Sequence, residues 1–255
     1  MSEEVKNDKV SVSEILDISY KVWKENFTSI ALAITIVYIP VQILIELASI
    51  AFEYLRGPNY LSSYSEWHRL VNETRIYNFI RGLIGIIATL GIYSQVSNIF
   101  RNDEDERGGY ELVKFGLKKW PENFGHTFLA GLIVLAYSIM LIIPGIYKAV
   151  QFSFVSNQVC DGEDDPLEES KALVEGRWFE VFGMSFLIYF TALIIESIVL
   201  IPFLLLPEGP MFTITLGVIA TIASSFAIVI KGVYYCDLKK KNMRANEDVI
   251  LCEEK

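Results

Sequence analysis

The sequence predicts an all-α protein: a polytopic transmembrane bundle of six helices, built from three repeats of an amphipathic interfacial helix followed by a transmembrane hairpin. Three observations predict it. Hydrophobic residues make up 52% of the 255 and the mean hydropathy is +0.37; with polar residues gathered into blocks, this is a membrane-protein composition. Several apolar runs reach the roughly 20 residues that a helix needs to cross the hydrocarbon. The pattern W-x-E-x-F also occurs three times, each just before such a run, as Trp23-Glu25-Phe27, Trp120-Glu122-Phe124 and Trp178-Glu180-Phe182.

The chain reads as a single membrane domain over 1–255. Residues 1–27 form a cytoplasmic segment holding the first interfacial helix, which opens on the capping box Ser11-Val12-Ser13-Glu14. Val12, Ile15, Leu16, Val22 and Trp23 share one face, opposite Glu14, Asp17, Lys21 and Lys24, so the helix suits the headgroup layer. Spans are expected over 28–50 and 76–100. A second interfacial helix follows, capped at Gly108 before Glu111, with Leu112, Val113, Leu117 and Trp120 opposite Lys114 and Lys118. The third span covers 124–143.

Pro144-Gly145 then punctuates the chain, and Pro suits the first turn of a helix, so a fourth span is expected over 144–160. Its 17 residues rise about 25 Å, short for a crossing. The third interfacial helix starts at Asp165-Pro166-Leu167-Glu168, a cap with a first-turn Pro and an acidic first turn. Ser170 and Lys171 make its pattern the poorest, because the other copies are apolar there. Spans over 181–206 and 212–235 and a tail over 236–255 complete the chain.

Sixteen of the 22 Lys and Arg residues fall on the side holding both termini and three on the other. This predicts a multi-pass protein of the cell (plasma) membrane with both termini cytoplasmic. The first 27 residues are polar, so no signal peptide is expected. Cys160, Cys236 and Cys252 lie at or beyond the cytoplasmic edge, where thiols stay reduced, and match no metal or redox spacing. A net charge of -9 argues against nucleic acid as a partner.

In the repeated motif the indole suits the membrane interface, its body inward and its N–H toward water. Glu25, Glu122 and Glu180 have two readings. They either sit at the positive ends of the odd-numbered spans or bind Lys and Arg across the repeats.

Charges inside spans form a second group, since one near mid-membrane costs about 2.5–3.5 kcal/mol. Glu46 and Arg81 lie at the same level of consecutive spans, and Lys148 can reach Glu196; Lys231 reads as a snorkelling end. The fourth span carries Gln151, Ser153, Ser156, Asn157 and Gln158, too polar for lipid contact, so it is expected among the other helices. Glu46, Arg81, Lys148, Gln151, Asn157 and Glu196 are thus a candidate intramembrane polar site, either structural pairs or the lining of a cavity for a lipid headgroup or ion.

The run Asp161 to Pro166 lacks the ligand pattern of a calcium loop and reads as a solvated turn with a helix cap. His68 and His126 have no metal-ligand spacing, and no nucleophile elbow, P-loop or nucleotide fingerprint occurs. No catalytic residue, cofactor or metal is expected.

The stretch Pro144-Gly145-Ile146-Tyr147, the Ser170 helix, Gly176-Arg177-Trp178 and the opening "VSEILDISYKVWKENF" resemble a broad group of bacterial and archaeal membrane proteins. That group comprises the glycerophosphoryl diester phosphodiesterase membrane domain and uncharacterised six-span integral membrane proteins. The resemblance implies the topology over nearly the whole chain. Phosphodiesterase activity in that group resides in a separate soluble barrel domain, for which 255 residues leave no room, so no activity is implied here. The expected function is that of a non-enzymatic integral membrane protein binding membrane lipids, another membrane protein or itself in envelope homeostasis. The alternative is a small transporter or accessory permease subunit.

Overall fold

A computed structural model describes residues 11–56, 63–101, 107–201 and 210–253. Among these there is no strand, and the helices are α1 (Val12–Glu25), α2 (Phe27–Arg56), α3 (Ser63–Arg101), α4 (Gly109–Met140), α5 (Ile142–Gln151), α6 (Val155–Asp161), α7 (Pro166–Val174), α8 (Trp178–Leu200) and α9 (Pro210–Glu253). Helix starts follow the expected caps. Ser11 Oγ accepts the Glu14 N–H at 3.2 Å, Glu111 Oε2 accepts the Gly108 N–H at 3.2 Å, and Asp165 Oδ1 accepts the Glu168 N–H at 3.3 Å. Each satisfies an amide that the first helical turn leaves free.

Among the described residues five stretches are long and apolar enough to cross a membrane: Phe27–Ile45, Phe79–Arg101, Gly109–Met140, Trp178–Val199 and Thr215–Met243. They contain most of five of the six expected spans. The remaining one, 144–160, is not a continuous helix: α5 and α6 are separated by a turn over Phe152–Phe154. Pro144 does lie in the first turn of α5, and the chain reverses sharply at the extended residue Leu141 (φ -160°, ψ 144°). Gly145 there backs onto Ser138 so closely that a Cβ would collide with it.

The break expected between the second interfacial helix and the span over 124–143 is also missing, because α4 runs unbroken from Gly109 to Met140. The physical reason is packing. The first half of α4 lies antiparallel on α3, where a Cβ at Gly91 would stand 2.6 Å from the Leu112 carbonyl oxygen and one at Gly116 would strike the Ile87 carbonyl. Glycines at these two positions let the helix backbones touch. Leu112 and Val113 are buried there, while Glu111, Lys114 and Lys118 stay exposed. Pro40 is likewise inside a continuous helix.

Ile30, Ile34, Ile92, Val96, Phe154, Ile230, Tyr235 and Leu238 belong to one core that draws on α2, α3, α9 and the α5–α6 turn. Facing outward, Ile139, Met140, Ile142 and Ile143 are 75–80% exposed, a patch suited to lipid.

The turn between α5 and α6 contains no Pro or Gly. It is held by Ser170 of α7, which is fully buried: its Oγ donates to the Gln151 carbonyl at 2.8 Å and accepts the Phe154 N–H at 3.2 Å. These are backbone groups beside the break in the helix ladder, and unsatisfied burial would be costly. The polar residue that spoils the amphipathic pattern of α7 therefore stitches the broken helix. Ser170→Ala should destabilise by about 1–3 kcal/mol, read as a lower Tm in mild detergent, whereas exposed Ser13→Ala should change little. Equal effects would contradict this role.

Candidate functional site

Three helices bring side chains together where α3 ends. Asp161 is the last residue of α6, and Gly162 after it takes a left-handed conformation (φ +80°) that stops the helix and is unfavourable for other residues. The Asp161 side chain is only 3% exposed. Its Oδ1 accepts the Ser97 hydroxyl at 2.6 Å and pairs with Arg101 Nη2 at 3.0 Å. Its Oδ2 accepts from Lys239 Nζ at 2.6 Å and from the Tyr235 hydroxyl at 2.8 Å.

Around this centre the bonds continue. The Tyr235 hydroxyl is also 2.8 Å from Gln158 Oε1; with one proton it donates to one acceptor at a time, and it accepts from Lys239 Nζ at 3.3 Å. Lys239 also pairs with Glu163 Oε1 at 2.8 Å. Two carboxylates thus meet two cations, which is how a charge withdrawn from water is tolerated.

Burial pushes the Asp161 carboxyl up, but the Lys239 and Ser97 hydrogen bonds, the Lys239 charge and the Tyr235 bond outweigh it and hold the group below its ordinary value. The neighbouring Cys160 thiol donates to the Leu90 carbonyl at 3.5 Å.

Beside the carboxylate lies a cavity of about 420 Å³, lined by Arg101, Lys239, Lys240 and Glu163 on its polar side and by Phe100 and Met243 on its apolar side. Among the described residues no three His, Cys, Asp or Glu side chains converge as a metal site. Compared with models of known protein families, with curated proteins and with solved structures, the chain matches none.

Of the expected intramembrane group, the structure joins Lys148 to Gln151, Nζ to Oε1 at 2.9 Å, with the ammonium also over the Tyr137 ring at 5.3 Å. Glu196 is exposed on α8, so Lys148 turns to an amide instead. Asn157 is buried in α6, its Oδ1 without a partner among the described residues. Arg81 lies within electrostatic reach of Tyr38. The expected partner of Arg81 was Glu46, whose side chain lies outside the described residues.

The three tryptophans behave alike, but differently from the expected indoles facing water. Trp23 Nε1 donates to Ser225 Oγ on α9 at 2.9 Å, Trp120 Nε1 to the Leu83 carbonyl on α3 at 2.8 Å, and Trp178 Nε1 to the Tyr147 carbonyl on α5 at 3.2 Å. Each ring also packs on the Phe four residues on, with Phe27, Phe124 and Phe182 centroids at 4.9, 5.5 and 5.1 Å. The glutamates are less uniform. Glu180 stands in the first turn of α8, as a dipole partner should. Glu122 is inside α4 and pairs with Lys119 one turn back at 2.9 Å, and Glu25 ends α1.

Reading the Asp161 run as a solvated turn is thus wrong for its first residue and holds for Asp164 and Asp165, which are exposed. The available signal was Val-Ser-Asn, which occurs at Val96-Ser97-Asn98 and again at Val155-Ser156-Asn157. It marks the two helices whose ends meet.

A carboxylate held below its unfolded value stabilises the fold above that value, about pH 4, and the contribution is lost as pH falls through the folded value. Tm should therefore be nearly flat from about pH 7 to about pH 5 and fall below about pH 4. Asp161→Asn should start lower, by on the order of 3 kcal/mol, and lose less on acidification. Parallel pH profiles for the two proteins would refute the assignment.

Proposed function

We propose that the protein is a non-enzymatic, multi-pass protein of the cell membrane that binds anionic lipid at its cytoplasmic edge in support of envelope homeostasis. The observation that carries this reading is the cavity beside Asp161. It sets Arg101, Lys239 and Lys240, in excess over the carboxylates of Asp161 and Glu163, beside Phe100 and Met243, a polar wall of net positive charge next to an apolar one, as a phosphate headgroup with its acyl chain requires. The polar groups of its floor are engaged with one another, which favours binding over chemistry.

In this reading α5 and α6 together make a sixth, broken crossing, and both termini lie in the cytoplasm. The three motif copies mark three repeats. Each indole donates to a helix of the hairpin before it, and α9 of the last hairpin receives Trp23, so the repeats close into a ring. The resemblance to the six-span membrane group supports the same topology.

Native mass spectrometry of the protein released from gentle detergent should show retained phosphatidylglycerol in preference to zwitterionic phosphatidylethanolamine. The double variant Lys240→Glu, Met243→Glu reverses one charge and breaks the apolar wall, and should lower retention by roughly tenfold or more. Indifference to headgroup charge, or unchanged retention in the variant, would overturn the reading.

A further inference from the structure

Lys231 lies eight residues, about 12 Å, along α9 from Lys239, inside the apolar stretch Thr215–Met243. Arg101, Lys239 and Lys241 each pair with a carboxylate. Lys231 has no ion pair among the described residues, and its ammonium lies over the Tyr93 ring on α3, 6.0 Å from Nζ to the centroid. The expected snorkelling toward the end of the span does not occur. The ammonium turns across the bundle instead, and Tyr93 is one turn short of Ser97. A cation here without a counter-charge is expensive, and such residues mark ligand sites by default.

The space beside it fits that expectation. Lys231 lines a cavity of about 320 Å³ together with Ser185 and Tyr189 of α8, Ala227 of α9 and Ser153 of the turn that breaks α5 from α6. Ser153 Oγ is buried and has no partner among the described residues. Tyr189 is 64% exposed and forms the outer rim, and Ile188 and Ala192 supply apolar wall. The turn matters because irregular backbone at membrane depth is tolerated where it lines a cavity. One ammonium, several hydroxyl donors and an apolar wall are complementary to an oxyanion carrying an apolar chain.

We propose that Lys231 and Ser153 form an intramembrane binding site for the oxyanion of an anionic amphiphile, which enters from the lipid side past Tyr189. The ammonium neutralises the ligand and is neutralised by it, in surroundings where such an interaction is poorly screened. The Ser153 hydroxyl donates to the same oxyanion. This site is separate from the cavity beside Asp161 and does not depend on lipid being held there.

The test uses the full chain in non-ionic detergent, in the Lys240→Glu, Met243→Glu background so that the other cavity is silenced, with binding read by native mass spectrometry and thermal shift. The probes are dihexanoyl phosphatidic acid, dihexanoyl phosphatidylcholine and inorganic phosphate. Phosphatidic acid should bind in preference to phosphatidylcholine. Lys231→Met should weaken it roughly ten- to a hundredfold, and Lys231→Arg should keep it.

Inorganic phosphate that binds as tightly and is lost with Lys231→Met would support the same site with a water-borne anion as its ligand. Should Lys231→Met fail to fold, Ser185→Phe fills the cavity with the lysine in place and should abolish binding. The proposal is overturned if none of the probes binds, if phosphatidylcholine binds equally, or if phosphatidic acid binding survives either Lys231→Met or Ser185→Phe.

Discussion

Asp161 accepts bonds from Ser97, Arg101, Tyr235 and Lys239, side chains of two long helices, at the end of a helix only seven residues long. A helix of that length has no stability of its own. Its position must come from tertiary contacts, and the carboxylate supplies the most demanding of them, since a buried charge is tolerated only where its partners stand. Satisfying four donors from α3 and α9 at once fixes the rotation of α6 as well as its height. Where α6 sits then decides where the chain between it and α5 must bend.

That bend transmits the constraint outward. Ser170 can bridge Gln151 and Phe154 only with α7 laid across the break, and α7 leads through Gly176, at φ +75°, into α8. Trp178 at the head of α8 returns to the Tyr147 carbonyl of α5. The segment from Ile142 to Trp178 is thus closed on itself by polar bonds between elements too short to be held by apolar area alone. Long helices around it are joined differently, by backbone contact at Gly91 and Gly116 and by the indoles of Trp23 and Trp120.

Much of this was legible in the sequence, for a physical reason. Apolar run length and capping chemistry are local, so five apolar helices and the caps at Ser11, Gly108 and Asp165 could be read from neighbouring residues. In each W-x-E-x-F copy the Trp ring packs on the Phe four residues on, a spacing that brings side chains together along a helix. What could not be read is tertiary. The Asp161 acceptors look like a solvated acidic turn until Ser97 and Lys239, 64 and 78 residues away, are brought beside them. The turn at Phe152–Phe154 has no breaker residue, and its cause lies in Ser170, on another helix. The break expected between the second interfacial helix and the span over 124–143 erred in the opposite direction: packing of α4 on α3 carries one helix from Gly109 to Met140.

The account makes the Asp161–Lys239 contact a coupling between helices rather than two independent contributions. A double-mutant cycle with Asp161→Asn and Lys239→Met, read as unfolding free energy in mild detergent near neutral pH, measures that coupling directly. It should be at least about 1 kcal/mol, as for residues of one buried network. Additivity within about 0.5 kcal/mol, the behaviour of independent sites, would contradict the claim that this ion pair holds α6 against α9.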